Sequence, residues 1–564
     1  MSSTSAPLAG HGSALDKGIG LLLGAIYVVW LIFSARSLGF TRDEGFYFRS
    51  ATEYARWFEL LFSHPAMAIQ KSASDPIWEV NHEHPSLLKS LFSISWLLLH
   101  KNHRVFLDAS LAFRFPAMLL GGVAIWVTYL FGARVYGRRA GVMAAVLLGL
   151  MPRLFFHAHL ACFDVPIATL CLLCIYTYWR SGQEGGLGLP ILTGILFGLA
   201  LLSKHNAWLL PAVFLPHALI AAYKKGARWP APGRQSLFAS CIAMMTIGPA
   251  LFVLLWPWLW HRTLPRLGEY VHFHLHHVYY NIEFLHRNYS APPSPKLYVP
   301  VLIAATVPAV TLLLFAIGLG ERLKELARGA ILVLRARARR AGPHGHLAAS
   351  QETDSLLLLA MAVPLLVFLW PTTPIFGGTK HWLAAYPFLA IFAGRGFDLA
   401  ASAMERTLAP ARRSLGALAG AGLCASVVVP ALLITAHSHP FGLSTYTPLV
   451  GGTAGGAGLG LCRQFWGYST QSAAPWLEAH APKGASIFIH DTSRSAWFYL
   501  LKEERMRSDL VGLGSPAQAQ FALMQYELHM AEVEYQIWVA FDTVTPAYVV
   551  THDGVPIVSI YQTR

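Results

Sequence analysis

The chain has 564 residues, of which 55% are hydrophobic and only 13% charged, with a mean hydropathy of +0.46. A soluble globular protein carries roughly 25% charge, so the composition excludes that class and predicts a polytopic α-helical membrane protein. Lys and Arg exceed Asp and Glu by 43 to 29, a formal net charge of +14, but the excess is scattered between apolar segments, which argues against nucleic acid as a partner and makes the charge a marker of membrane orientation.

A crossing helix needs about 20 mostly apolar residues, and about eleven such stretches occur. The first, Gly18 to Leu38, follows a polar, Ser-rich start without a small-residue cleavage site and reads as a retained helix with a cytoplasmic N-terminus. The others lie near 115–133, 140–157, 164–179, 187–203, 207–223, 237–260, 298–319, 355–370, 382–397 and 415–437. Between the first two, Leu87 to Leu99 is apolar but only about a dozen residues long, short for a crossing. It is expected to be an interfacial or re-entrant helix, because every strongly basic loop then falls on one side. Those loops hold Arg134, Arg138 and Arg139; Lys224, Lys225 and Arg228; the segment Arg322 to Arg340; and Arg412 with Arg413. The same parity puts the loop 39–114, the loop 261–296, the turn 371–381 and everything after His439 on the outer face.

Residues 1–438 are thus expected to form a transmembrane domain with its first outer loop at 39–114, and 439–564 a small extracytoplasmic α/β domain. The latter has ordinary charge density and strand-like runs at Ala485 to His490, Tyr535 to Phe541 and Ala547 to Thr551. An Asp553-Gly554 hairpin signal precedes a further run, Val555 to Tyr561. The Gly-rich stretch Gly451 to Gly460 lacks the flanking strand and helix of a dinucleotide site and reads as a flexible linker.

The outer loops hold the reactive side chains. Directly after the first span stands Thr41-Arg42-Asp43-Glu44-Gly45-Phe46-Tyr47. Paired acids can simply cap a helix. Their place at the hydrocarbon edge, in a loop that also supplies Glu79, His82, Glu83 and His84, favours proton transfer from an attacking group. Asp43 and Glu44 are therefore the candidate catalytic residues. His82 and His84 straddle Glu83 at a spacing that suits a divalent metal on extended backbone, yet no third ligand follows nearby. His159, Asp164 and Lys204 lie near outer span ends, where Asp164 must face a polar cavity or an ion-pair partner. His272, His274, His276, His277, His286 and Arg287 suit a wall that binds sugar hydroxyls. His272 and His276 share a helical face but lack the Glu of H-E-x-x-H. In Gly377-Gly378-Thr379-Lys380-His381-Trp382, Lys380 and His381 are cations placed to neutralise a lipid phosphate.

Taken in order, these motifs resemble the GT-C membrane glycosyltransferases of the protein O-mannosyltransferase and lipid A aminoarabinosyltransferase superfamily. Arg42-Asp43-Glu44 matches the acidic motif after the first span, and Glu83-His84-Pro85-Ser86-Leu87 the His-Pro-Pro-Leu element, with Ser86 for the second proline. Arg114-Phe115-Pro116-Ala117 is similar to the Arg-Leu-Pro-Ser that opens the second span, Ser203-Lys204 to a Thr-Lys, and Thr379-Lys380-His381 to a late Lys-Arg-His-Tyr turn. His439 to Tyr446, then Gly451-Gly452 and Trp466-Gly467, resemble the start of the outer domain. Where family members often have Arg, Arg and Asp, this chain has His159, Cys162 and Asp164.

The resemblance implies a GT-C fold and inverting transfer of a hexose or pentose from a polyprenyl-phosphate carrier to a protein, lipid or glycan acceptor. Asp43 would be the base and Glu44 would orient it or the acceptor. Lys204, Lys380, His381 and Arg114 would stabilise the departing phosphate, and Glu83, His84, Asp164 and His159 would complete the substrate site. No obligatory cofactor is implied, and a divalent metal at His82 and His84 stays open. Abundant Arg and Ala point to a bacterial inner membrane with the C-terminal domain in the periplasm. The competing class, a transporter or flippase of lipid-linked sugars, calls for ionisable groups at the midplane and often repeated halves; no repeat is visible.

Overall fold

A computed structural model describes residues 13–223, 232–338, 349–375, 377–408 and 413–563. Lys224, Lys225, Arg228, Arg412 and the end of the basic segment, Arg339 and Arg340, lie outside the described residues.

Helices occupy every predicted span. Among the described residues, six are long and apolar enough to cross a membrane, and two bent pairs raise the number to eight, which makes this an integral membrane protein. The difference from about eleven has a physical source. Gly188–Leu201 and Leu210–Tyr223 have 14 residues each, about 21 Å of helix against a hydrocarbon core of about 30 Å. Asp164–Glu184 opens on an acid and ends in charged residues.

Two predicted spans are broken. Arg138–Gly149 and Pro152–Ala158 meet at 69°, and Tyr298–Thr306 and Ala309–Ile331 at 118°. Pro152 and Pro308 stand at the breaks, where proline cannot donate to the preceding turn. The first bend turns Pro152–Ala158 aside, with every one of its residues buried. The short apolar stretch forms Ser86–Trp96, extended by a π-turn at Leu97–Asn102. It packs against Arg42–Ser63 and Ala109–Tyr136.

In the loop after the Pro232–Leu254 helix, β1 (Ile282–Phe284) and β2 (Arg287–Tyr289) form an antiparallel hairpin. The C-terminal sheet contains β3 (Ser486–Ile489), β4 (Val511–Leu513), β5 (Phe521–Gln525), β6 (Tyr548–His552) and β7 (Val555–Gln562). Its order is β4-β3-β5-β7-β6, parallel around β3 and antiparallel from β5 onward. The run Tyr535 to Phe541 is not a strand but part of the helix Ala531–Phe541, because Ile537 and Phe541, four apart, share the face buried with Phe488 and Met524. The stretch Gly451 to Gly460 is not a loose linker either. It contains the helix Gly452–Gly458, and its glycines permit close approach: a β-carbon at Gly456 would collide with the Tyr446 ring. One apolar core runs from Leu38 at the end of the first span and Phe40 and Phe48 in the first outer loop to Ile487, Trp497 and Leu500 in the C-terminal region, tying the sheet to the helical part.

Candidate active site

The helix Arg42–Ser63 starts on a reciprocal cap. The Thr41 N–H donates to Glu44 Oε2 at 3.1 Å and the Glu44 N–H to Thr41 Oγ1 at 3.4 Å. Neighbours on a helix point about 100° apart, so the cap gives the adjacent acids different surroundings. Glu44 is fully buried. Its carboxylate accepts from Arg114 Nε at 2.7 Å, Arg114 Nη2 at 2.8 Å and the Ala161 N–H at 3.0 Å. Arg114, equally buried, also donates to the Gly39 carbonyl at 2.7 Å. Each side chain is buried and taken up by the other and by backbone groups. The expected catalytic role of Glu44 and phosphate role of Arg114 are therefore corrected to an internal ion pair that fixes the start of the Asp43 helix.

Asp43 is one-quarter exposed, with Oδ2 3.7 Å from Lys380 Nζ. The Lys380 ammonium also lies 3.9 Å from the centroid of the Trp466 ring, a cation–π contact. Asp164 binds Lys204 Nζ at 2.6 Å, with His157 Nδ1 at 4.0 Å. Asp43, Asp164 and Lys204 all lie within electrostatic reach of Lys380. The chain thus gathers two lysine–carboxylate pairs from residues far apart in sequence. His381 is buried beside them, its carbonyl accepting from Asn206 Nδ2 at 3.4 Å.

An aromatic wall continues from this cluster. His84 lies edge-on to Tyr47 and Phe163, and His274 stacks near His205 with centroids 4.3 Å apart. Burial first, then the surrounding Lys89, His274, Lys204 and Lys380, push the His84 imidazole well below its ordinary value, so it is neutral at pH 7. Lys89 Nζ fastens this loop by donating to the His84 carbonyl at 2.8 Å. The Glu83 carboxylate is taken by Asn81 Nδ2.

Two further expectations are corrected. His159 stands away from the lysine pairs: its Nε2 is 2.8 Å from Ser34 Oγ and its ring stacks on His439. His157, two residues earlier, faces Asp164 instead. His82 stacks on Trp258 with centroids 4.7 Å apart and hydrogen-bonds the Glu79 carbonyl, whereas His84 packs on Tyr47 and Phe163, and neither belongs to a group of three metal-capable side chains among the described residues. Among the described residues, groups of metal-capable side chains occur elsewhere, at His437, His552 and Asp553 and at Glu283, Glu527 and His529. His272 and His276 do stack face to face, 4.2 Å apart, without joining such a group.

Sequence reasoning assigned no role to Tyr47, Arg153 or His157. Tyr47 was legible as the residue one turn after Asp43; Arg153 and His157 were legible as ionisable residues inside a predicted span.

The hairpin and the C-terminal region meet at an acid–imidazole contact. His529 Nδ1 is 3.4 Å from Glu283 Oε1 and 3.6 Å from Glu527 Oε2, and Gln464 Nε2 donates to Glu527 at 2.8 Å. Burial, opposed by His529 and reinforced by Glu283, pushes the Glu527 carboxyl up to about 8. The folded state therefore holds a proton that the unfolded chain releases near pH 4.5, and stability falls as pH rises from there through about 8. His529, raised despite its burial by the bond to Glu283, contributes in the same direction. Thermal midpoints in detergent are expected to drop between about pH 6 and pH 9, and to drop less in Glu527→Gln. Equal slopes in the two proteins would contradict this assignment.

Residues 92–261 match the family model for dolichyl-phosphate-mannose-protein mannosyltransferase. That stretch includes Arg114, Asp164 and Lys204, and the match supports the GT-C resemblance drawn from the motifs. In structure the chain is similar to ArnT from Cupriavidus metallidurans bound to undecaprenyl phosphate, at 16% identity and a TM-score of 0.45, covering 97% of this chain and 98% of that one. It is also similar to the apo oligosaccharyltransferase of Archaeoglobus fulgidus, at 12% identity and a TM-score of 0.48, over 94% of this chain and 72% of that one. AglB from the same archaeon, in complex with an inhibitory peptide and a dolichol-phosphate, gives 11% identity and a TM-score of 0.47, over 97% and 74%. No curated protein matches the sequence.

Proposed function

We propose that the protein is an integral-membrane glycosyltransferase that moves a hexose or pentose from a polyprenyl-phosphate carrier to a protein, lipid or glycan acceptor at the outer face. The observation that carries this reading is the partly open Asp43 carboxylate, 3.7 Å from Lys380 beside the Asp164–Lys204 pair. A polyprenyl-phosphate donor is the class named by the family that matches residues 92–261.

In this reading Asp43 takes the proton of the attacking acceptor group. The acceptor forms its bond to the anomeric carbon while the opposite bond, to the phosphate oxygen, breaks and leaves its electron pair on the phosphate. The configuration inverts. A lipid monophosphate is already a good anionic leaving group, so cations serve it better than a general acid. Lys380 and Lys204 are placed for this, each starting on a carboxylate it can share with the incoming charge. Asp43 and Asp164 are already balanced by these ammonium groups, so a divalent cation between them would have to displace both lysines; this favours a reaction without an obligatory metal. The outer face is periplasmic in a bacterial inner membrane, with the N-terminus cytoplasmic.

The test is to supply the purified full-length protein with labelled polyprenyl-phosphate sugars and an acceptor pool from membranes. Release of polyprenyl phosphate together with label in an acceptor is the expected result. In sealed vesicles, movement of intact sugar lipid between leaflets without cleavage would overturn the transferase reading in favour of a flippase.

A further inference from the structure

Three of the site's cations stand beside acids. Arg114 lies on Glu44, Lys204 on Asp164 and Lys380 beside Asp43. Arg153 in the bent segment Pro152–Ala158 is only 7% exposed. Its guanidinium lies 5.2 Å over the Tyr446 ring, its Nε has no hydrogen-bond partner, and no carboxylate pairs with it among the described residues. A buried guanidinium without a counter-charge is costly, and a ring face offsets only part of that cost.

Arg153 lines a cavity of about 50 Å³ together with Thr379, Gly377, Gly378, Tyr298 and Tyr446. Thr379 Oγ1 is likewise buried without a partner. The far wall holds Glu283 and Glu527, but both are engaged, Glu283 with the Leu528 N–H and His529, Glu527 with Gln464 and His529. The cavity lining therefore includes two buried donor atoms without a partner, Arg153 Nε and Thr379 Oγ1, and Thr379 directly precedes Lys380.

We propose that Arg153 and Thr379 form a phosphate-binding site in this cavity, which takes the phosphate group of a substrate of the reaction above. A planar guanidinium suits a phosphate in two-point contact, and a hydroxyl supplies a third bond. The phosphate comes either from the lipid carrier or from a phosphorylated sugar on the acceptor side. The site rests on the transferase reading only for which molecule carries the group.

The experiment measures binding to the full-length protein in detergent, with undecaprenyl phosphate and glucose 6-phosphate as probes for the two sources and glucose as the uncharged control. The wild type is expected to bind one of the phosphates in preference to glucose. Arg153→Gln should weaken that binding about tenfold or more, Arg153→Lys should restore part of it, and Thr379→Val should weaken it severalfold. Thr379→Val changes little volume and carries the test if Arg153→Gln does not fold. Binding of neither phosphate by the wild type, or unchanged binding by folded Arg153→Gln and Thr379→Val, overturns the site. Sugar transfer is measured separately: phosphate binding that depends on Arg153 without transfer overturns the transferase reading alone, and transfer without such binding overturns the Arg153 site alone.

Discussion

Asp43→Asn is expected to lower the transfer rate by about 10²- to 10⁴-fold, the range lost when a positioned general base is removed. Asparagine keeps the shape of the side chain but cannot accept the acceptor's proton. The helix start survives the change, because its cap is made by Thr41 and Glu44. The effect therefore falls on kcat and leaves the thermal midpoint near the wild type. Binding of the lipid phosphate moves differently. Lys380 loses the carboxylate 3.7 Å away, and a buried ammonium freed from its acid attracts an incoming anion more strongly. Donor KM should thus hold or fall while kcat collapses. Asp43→Glu retains the basic group one methylene further out and should recover part of the rate. Undiminished transfer by Asp43→Asn would remove Asp43 as the base.

Much of the helical architecture was legible because its determinants are local. Apolar runs located helices at every predicted span, and length together with the placing of the basic loops set Leu87 to Leu99 apart from the expected crossings. The breaks were less legible: Pro152 and Pro308 mark them in sequence, but an 18-residue apolar run reads the same whether straight or bent. In the C-terminal region, alternation found β3, β6 and β7. It missed β5, whose five residues Phe521–Gln525 are all buried and so show no polar face to alternate with. It also misread Tyr535 to Phe541, where aromatic and β-branched residues imitate a strand while the burial of Ile537 and Phe541 is helical.

The site divides along the same line. Asp43, Lys204, Lys380 and Asp164 stood out as ionisable residues at span ends, but which acid pairs with which cation depends on contacts across hundreds of residues. Nothing local distinguishes Asp43 from Glu44. The distinction is made by Arg114 and the Ala161 N–H, both distant in sequence, which claim one carboxylate and leave its neighbour to Lys380. Arg153 lies inside a predicted span, and only the fold shows that it is buried with no acid paired to it among the described residues.

That division makes Glu44→Gln the second large effect, and one of a different kind. Removing one member of a buried ion pair costs about 3–5 kcal/mol, because the other charge remains without compensation. Here Arg114 would keep its charge at about 1% side-chain exposure. The new amide could accept from Arg114 on one side, but its NH₂ would face donors, including the Ala161 N–H that the carboxylate now accepts. Arg114→Gln should be destabilising as well, losing also the bond to the Gly39 carbonyl. The double variant Glu44→Gln/Arg114→Gln buries no charge and should lose clearly less stability than the sum of the singles, a coupling that a thermal or denaturant series in detergent measures directly. Additive losses would mean that the pair is not the unit described. Activity separates the two adjacent acids further. Glu44→Gln acts by loosening the start of the Asp43 helix, so its transfer rate should approach the wild type on cooling to a temperature at which it is folded. Asp43→Asn lacks the proton acceptor itself, and its deficit should persist at every temperature at which the protein is folded.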